Sequence, residues 1–176
     1  GRNAEAFSIL GDSLIVTNQS LAKWDSDDYT LGDYEFLQPA IDQYAGSFGS
    51  YGPSVRVGLH SWSVFDPLWA DKEYCLANED VLTCEIRLTN PSVMIIFLGS
   101  NDAGSPGGFN VNFRKLVETL IDQGIVPILA TKADRFEGGD NVNNDIIRKI
   151  AADFQVPLLE FDLLADTLPG RGLGPD

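Results

Sequence analysis

Apolar residues along this chain fall in short uninterrupted runs, separated by longer stretches of mixed character. Five of the runs are rich in aliphatic residues, namely residues 6–10, 55–59, 93–98, 125–130 and 156–161. A continuous apolar run, rather than an alternating one, is typical of a strand buried on both faces, as in a parallel sheet. The pattern therefore predicts five buried strands.

Between these runs, apolar residues recur at intervals of three and four, which is typical of helices with one buried face. The spacing predicts helices over residues 34–44, from Asn110 or Asn112 to Gly124, and over 141–154. Residues 75–84 and 104–108 are expected to be loops. Strands that alternate with helices indicate a doubly wound α/β sheet with right-handed crossovers, and such sheets bind ligands at the carboxyl ends of their strands.

Length and charge limit the function. The 176 residues fit a single domain spanning 1–176, and a formal net charge of −14 argues against a nucleic-acid partner or an anionic membrane surface. No run approaches the roughly 20 apolar residues of a membrane span. Neither glycine-rich nucleotide-binding motif occurs, so we expect no cofactor.

Two cysteines, Cys75 and Cys84, lie nine positions apart. This spacing suits a small loop closed by a disulfide, which would indicate an oxidising, extracellular compartment. The alternative is two separate buried thiols. With His60 as the only histidine, they do not suffice for a structural zinc site, and no metal is expected. Asn18 begins an N-Q-S glycosylation pattern, which agrees with secretion.

Two polar clusters follow predicted strands, "GDSL" at residues 11–14 and "GSND" at residues 99–102. A serine just after a strand can present its hydroxyl as a nucleophile, which needs a base and donors aimed at the oxyanion it creates. Ser13 fits the nucleophile, and the Asn101 carboxamide fits a donor. Either cluster alone would fit a simple turn, but both fall at strand ends.

These clusters resemble the first and third signature blocks of the GDSL, or SGNH, hydrolases. The resemblance implies a three-layer α/β/α sandwich around a mainly parallel sheet, with flavodoxin-like topology, and the hydrolysis of esters. It also implies that Ser13 is the nucleophile, with its own N–H in the oxyanion hole, and that Asn101 is an oxyanion donor.

The resemblance extends to two further blocks. In "VRVGLHSWSVFDP", Gly58 aligns with the first glycine of the second block and Ser61 takes the oxyanion position, where the family has glycine. The fourth block, Asp-x-x-His, supplies the base. The sequence as given ends "LPGRGLGPD", so we expect it to stop inside this block, with Asp176 orienting a histidine three residues further on.

Some alternatives stay open. His60 is a second candidate for the base, and Trp24, Trp62 and Trp69 lie in predicted loops, where Trp62 is suited either to stacking on a sugar ring or to ordinary packing. The leading hypothesis is a secreted serine esterase, or lipase-like acyl hydrolase, acting on a small-molecule or polysaccharide ester. The competing one is a non-catalytic binding or structural module with the same fold. The sequence predicts no oligomeric state.

Overall fold

Four parallel strands form the central sheet of the computed structural model, which describes residues 1–16, 21–26, 28–138 and 140–173. The strands are β1 (Asn3–Gly11), β2 (Pro91–Phe97), β3 (Val126–Ala130) and β4 (Leu158–Leu159), and they lie side by side in that order. All neighbouring strands are parallel. The predicted α/β class with a parallel sheet is confirmed.

Two of the predicted strands differ from the structure. Residues 55–59 form no strand: only Val55 makes an isolated bridge, to Gly11, because the chain turns at Gly58, which has a φ of +79° that strands do not adopt. This stretch still lies beside β1, on the side away from β2. The flavodoxin-like strand order is therefore kept, with a single bridge in place of the second strand. The last strand, β4, has two residues instead of the predicted 156–161.

Within the described ranges, five α-helices connect or flank the strands: α1 (Gln38–Gln43), α2 (Val81–Thr89), α3 (Pro106–Asp122), α4 (Val142–Phe154) and α5 (Phe161–Ala165). Single turns of 3₁₀ helix occur at Ser13–Ile15, Ala22–Asp25, Ser63–Phe65 and Pro169–Gly172, and a longer one at Gly32–Leu37 leads into α1.

The helix boundaries correct several predictions. The predicted helix 34–44 is half 3₁₀ helix, and α3 begins inside the predicted loop 104–108, at Pro106 rather than at Asn110 or Asn112. Proline suits a first helical position because it lacks the N–H that stays unpaired there. Gly124 follows the end of α3, as predicted, with a φ of +73°.

Helix α2 was missed, because it overlaps the predicted loop 75–84. Capping residues nonetheless mark both ends of this helix in the sequence. The side chain of Asp80 accepts a hydrogen bond from the N–H of Thr83 at 2.7 Å and caps the start. At the other end, Asn90 adopts the left-handed conformation that terminates helices.

Side chains from alternate strand positions pack on opposite faces of the sheet. One face, with Leu10, Met94 and Ile96, packs against α2, α3 and α4. The other, with Phe7, Ile9 and Ile15, packs against residues from the segment 21–55. Phe161, the first residue of α5, contacts Phe97 edge-on across 6.3 Å between ring centres. The sheet therefore has cover on both faces, as a three-layer α/β/α sandwich requires.

The predicted disulfide is confirmed, since Cys75 and Cys84 are bonded to each other and both are buried. It fastens the loop before α2 to the helix itself. A second tether lies beside it: Nε of Arg87 donates to Glu79 at 2.6 Å, and this hydrogen bond helps to lower the pKa of Glu79 to about 2. Within the described residues, no helix is long and apolar enough to cross a membrane.

Candidate active site

Ser13 opens a single 3₁₀ turn directly after β1, and its side chain is exposed. The turn is set by Asp12, whose Oδ1 accepts the N–H of Leu14 at 3.1 Å. The neighbouring strand approaches closely at Gly11, where a Cβ would lie 2.8 Å from the carbonyl oxygen of Phe97. A glycine at this position thus lets β1 end against β2 and presents Ser13 beyond the edge of the sheet.

Asn101 lies beyond the carboxyl end of β2, the strand that pairs with β1. Gly11 is in register with Phe97, so the segments that carry Ser13 and Asn101 leave the sheet at the same edge. One hydrogen of the Asn101 carboxamide is donated to the carbonyl of Leu59 at 3.1 Å. This bond orients the amide, and within the described residues its second hydrogen has no acceptor, so it is available to a ligand.

Ser61 forms a different hydrogen bond from the one that an oxyanion donor requires. Its N–H donates to Oδ2 of Asp102 at 3.0 Å, and its hydroxyl donates to Oδ1 at 2.7 Å. Both groups are buried. Ser61 therefore fastens the loop 58–61 to the loop 99–102, while its amide is engaged by a carboxylate.

The backbone amide of Gly58 differs from that of Ser61. Among the described residues, its N–H has no hydrogen-bond acceptor, and its φ of +79° is one that residues with side chains rarely adopt. The ring of Trp69 approaches to 4.0 Å from where a Cβ would be. The sequence signal for Gly58 was present, since it aligned with a glycine of the second block, but the role was assigned three residues later.

Residues that follow β3 hold the loop 99–102 in place through hydrogen bonds. Asn143 donates to the carbonyl of Gly99 at 2.9 Å, and the hydroxyl of Ser100 donates to Asp134 at 2.5 Å. Asp134 is in turn paired with the buried ammonium of Lys132 at 3.1 Å, and Lys132 also reaches Glu137 at 2.6 Å. Sequence reasoning missed this cluster, because lysine and acidic residues in a loop give no sign of burial.

Asp12 is buried beside Ser13 with one oxygen unpaired. Among the described residues, its Oδ2 has no hydrogen-bond partner. Burial, together with the negative charges of Asp134 and Asp102, raises the pKa of Asp12 to about 6. This carboxyl group, on the residue next to the candidate nucleophile, therefore changes its charge close to neutral pH.

His60 lies in an aromatic cluster. Its ring is 5.7 Å from that of Trp62 and 6.1 Å from that of Trp69, and Nδ1 lies 2.8 Å from the carbonyl of Gly58. Because a carbonyl only accepts, Nδ1 carries the proton and Nε2 is the free nitrogen in the neutral ring. In the described part of the chain, none of the contacts of His60 involves Ser13.

The predicted glycosylation position Asn18 and the predicted triad carboxylate Asp176 lie outside the described residues. Just before the chain end, Arg171 donates to the carbonyl of Ala133 at 2.7 Å and to Oδ1 of Asp162 at 2.5 Å. The segment that leads to Asp176 is therefore fastened to the loop after β3, at the same edge of the sheet as Ser13.

Side chains that could bind a metal ion together are rare in the described residues. The described residues contain one group of three close enough to share an ion, Cys75, Glu79 and Cys84, and its two sulfurs are joined in the disulfide. Metals bind thiolates, which this bond removes. The group lies away from Ser13 in the sequence and in the fold, beside α2.

Comparison with solved structures decides the architecture. No family model matches the sequence, and no curated protein matches it. The acetyl xylan esterase AlAXEase is 20% identical over 92% of this chain and 78% of its own, with a TM-score of 0.55. AlinE4, an SGNH-hydrolase family esterase, is 17% identical over 97% of this chain and 86% of its own, with a TM-score of 0.52.

A third similar structure is a catalytic mutant, H194A, of the acetylxylan esterase Axe2 from Geobacillus stearothermophilus. It is 14% identical over 99% of this chain and 85% of its own, with a TM-score of 0.59. The chain has the fold of the SGNH hydrolases. At these identities the likeness supports the SGNH fold predicted from "GDSL" and "GSND", and leaves the roles of individual residues to the geometry.

Proposed function

We propose that this SGNH-fold protein is a serine ester hydrolase in which Ser13 is the nucleophile. The observation that carries the proposal is the arrangement at one edge of the sheet: an exposed serine follows β1, and an oriented carboxamide with a free N–H follows β2. A hydroxyl beside preorganised donors is the arrangement that acyl transfer needs.

In this mechanism, Ser13 Oγ attacks the ester carbonyl and loses its proton to a base. The carbonyl oxygen becomes an oxyanion, which accepts hydrogen bonds from the N–H of Ser13, from Asn101 and from the N–H of Gly58, whose amide replaces the engaged amide of Ser61. The tetrahedral adduct expels the alcohol, which takes up the proton, and water then releases the acid from the acyl-enzyme.

We assign the base to a histidine in the fourth block, oriented by Asp176. The anchoring of Arg171 supports this assignment, because Arg171 lies five residues before Asp176 in the sequence and is itself bonded at the edge that carries Ser13. The same proposal places the protein in an oxidising, extracellular compartment, which the buried disulfide favours, with a small-molecule or polysaccharide ester as substrate and no nucleic-acid partner.

The experiment is active-site labelling of the purified protein. A fluorophosphonate probe should add once to the wild type and not to Ser13→Ala, whereas Ser26→Ala, which alters another exposed serine, should be labelled normally. Asn101→Ala should lower kcat on p-nitrophenyl acetate by about 100-fold or more with a small change in KM. Intact mass and steady-state kinetics give the readouts.

A second candidate function is a non-catalytic binding module that keeps the fold. The observation in its favour is that His60, the one histidine in the sequence, contacts Trp62, Trp69 and Gly58. An unlabelled wild-type protein without esterase activity would support this candidate and overturn the hydrolase.

A further inference from the structure

A groove of about 720 Å³ lies among the described residues, and its volume falls within the range of about 300–1,000 Å³ typical of ligand sites. It is lined by most of the segment 50–57, by Asp71 and Tyr74, and by Leu88 and Thr89 at the end of α2. No step of the proposed ester hydrolysis uses these side chains. The groove therefore needs an explanation of its own.

One wall of the groove, the segment 50–57, is hydrogen-bonded to the end of β1. The N–H of Gly11 donates to the carbonyl of Ser54, and the N–H of Arg56 donates to the carbonyl of Gly11, both at 3.0 Å. Gly11 precedes Ser13 by two residues, and Arg56 precedes Gly58 by two. A ligand in the groove thus contacts a segment that is hydrogen-bonded to the strand carrying the nucleophile.

The opposite side of the groove is equally well fastened. Tyr74 precedes the disulfide-bonded Cys75, and its carbonyl accepts a hydrogen bond from Arg87 at 3.0 Å. The Tyr74 side chain remains 57% exposed, so its ring is available at the groove. Rigid walls reduce the entropy lost when a ligand is ordered, which favours binding.

The chemistry of the lining favours a sugar chain. Tyr51 and Tyr74 supply aromatic rings, and the guanidinium of Arg56 and the carboxylate of Asp71 supply planar groups that can bond to adjacent hydroxyls. Because the lining carries one positive and one negative side chain, its net charge is zero. The net charge of −14 on the whole protein would repel a polyanionic glycan, so the match is to a neutral one.

We propose that this groove binds the neutral oligosaccharide portion of a carbohydrate ester and holds its acyl group towards Ser13. The proposal rests on the proposed function for the ester bond, but the binding of the sugar chain does not require catalysis. No bond is formed or broken in the groove itself.

The test is binding of unesterified xylohexaose, a neutral oligosaccharide, measured by titration calorimetry on the full chain. Tyr74→Ala should weaken binding about two- to twelvefold, the fold-change that corresponds to the roughly 0.5–1.5 kcal/mol of an aromatic contact. Tyr34→Ala is the matched control, because Tyr34 is similarly exposed, at 62%, and lies outside the groove. Leu88→Trp, which narrows the groove without touching Tyr74, should weaken binding as well.

The outcomes separate the two proposals. If xylohexaose does not bind, or binds equally well to Tyr74→Ala and Leu88→Trp, the groove proposal is overturned. Tighter binding of an oligogalacturonate, which is polyanionic, would overturn the match to a neutral chain. If xylohexaose binds through Tyr74 but Ser13 is never labelled, the result supports the binding proposal for the groove and overturns the hydrolase proposal.

Discussion

Asp12 and Asp162 are buried to the same degree, with 0% and 1% of their surface exposed, but their pKa values move in opposite directions. Burial raises the pKa of Asp12 to about 6. Burial acts on Asp162 in the same direction, but hydrogen bonds from Arg148, Asn141 and Arg135 outweigh it and lower the pKa to about 2. The comparison shows that the partners of a buried carboxylate, and not its burial alone, decide its charge.

The two aspartates also occupy different functional positions. Asp162 joins α4, α5 and the loop after β3, because Arg148, Arg135 and Arg171 all reach its carboxylate. In the described part of the chain, Asp12 has no cation among its hydrogen-bond partners, and it sets the turn that presents Ser13. One carboxylate is satisfied and structural, whereas the other is left under-bonded beside the candidate nucleophile, which is common at functional sites.

The largest effect is expected from removing the satisfied carboxylate. Asp162→Ala leaves three guanidinium groups without their shared partner and should lower the free energy of unfolding by about 3 kcal/mol, measured by urea denaturation. Asp166→Ala is the control, because Asp166 binds two of the same arginines but is half exposed. Equal losses in the two variants would contradict the special position of Asp162.

The next effect concerns the under-bonded carboxylate and depends on pH. The folded-state pKa of Asp12 lies above the usual 3.8, so its contribution to stability is fully present below about pH 4 and is lost as the pH rises through 6. Asp12→Asn, which stays neutral, should therefore have a free energy of unfolding about 3 kcal/mol higher than that of the wild type at pH 8.

This gain should vanish below pH 4, where Asp12 is protonated in the folded and the unfolded protein alike. Thermal or urea unfolding at several pH values measures it, with Asp28→Asn at an exposed position as the control. A gain that is the same at pH 4 and pH 8 would show that the charge of Asp12 is not its cause.

The smallest effect tests the geometry of the bonds around Asp162. Arg148 donates to Glu160 through Nε at 2.9 Å and to Asp162 through a terminal nitrogen at 2.8 Å. Arg148→Lys keeps the charge but loses this fork, so it should cost about 1 kcal/mol of unfolding free energy. Lys149→Arg, on the exposed side of α4, should cost nothing measurable, and a loss there would indicate a general effect of the helix.

Much of the fold and the two main site segments could be predicted from local sequence. The runs ending before "GDSL" and "GSND" are strands because they are continuously apolar, and parallel strands bring their carboxyl ends to one edge. The predicted strand at 55–59 failed for a local reason, since Gly58 turns the chain. Helix α2 was not predicted because residues 75–84, which hold both cysteines, were assigned to a loop. The capping residues Asp80 and Asn90 nonetheless mark the ends of this helix.

The sequence by itself determined the parallel sheet, the disulfide pair and the placement of Ser13 and Asn101, because apolar continuity and turn residues act over short distances along the chain. Only the tertiary structure decided that Ser61 binds Asp102, 41 residues away, while the Gly58 amide has no acceptor among the residues that the structure describes. It also decided that the pKa values of Asp12 and Asp162 shift in opposite directions, because the groups that set a pKa are neighbours in space rather than in sequence.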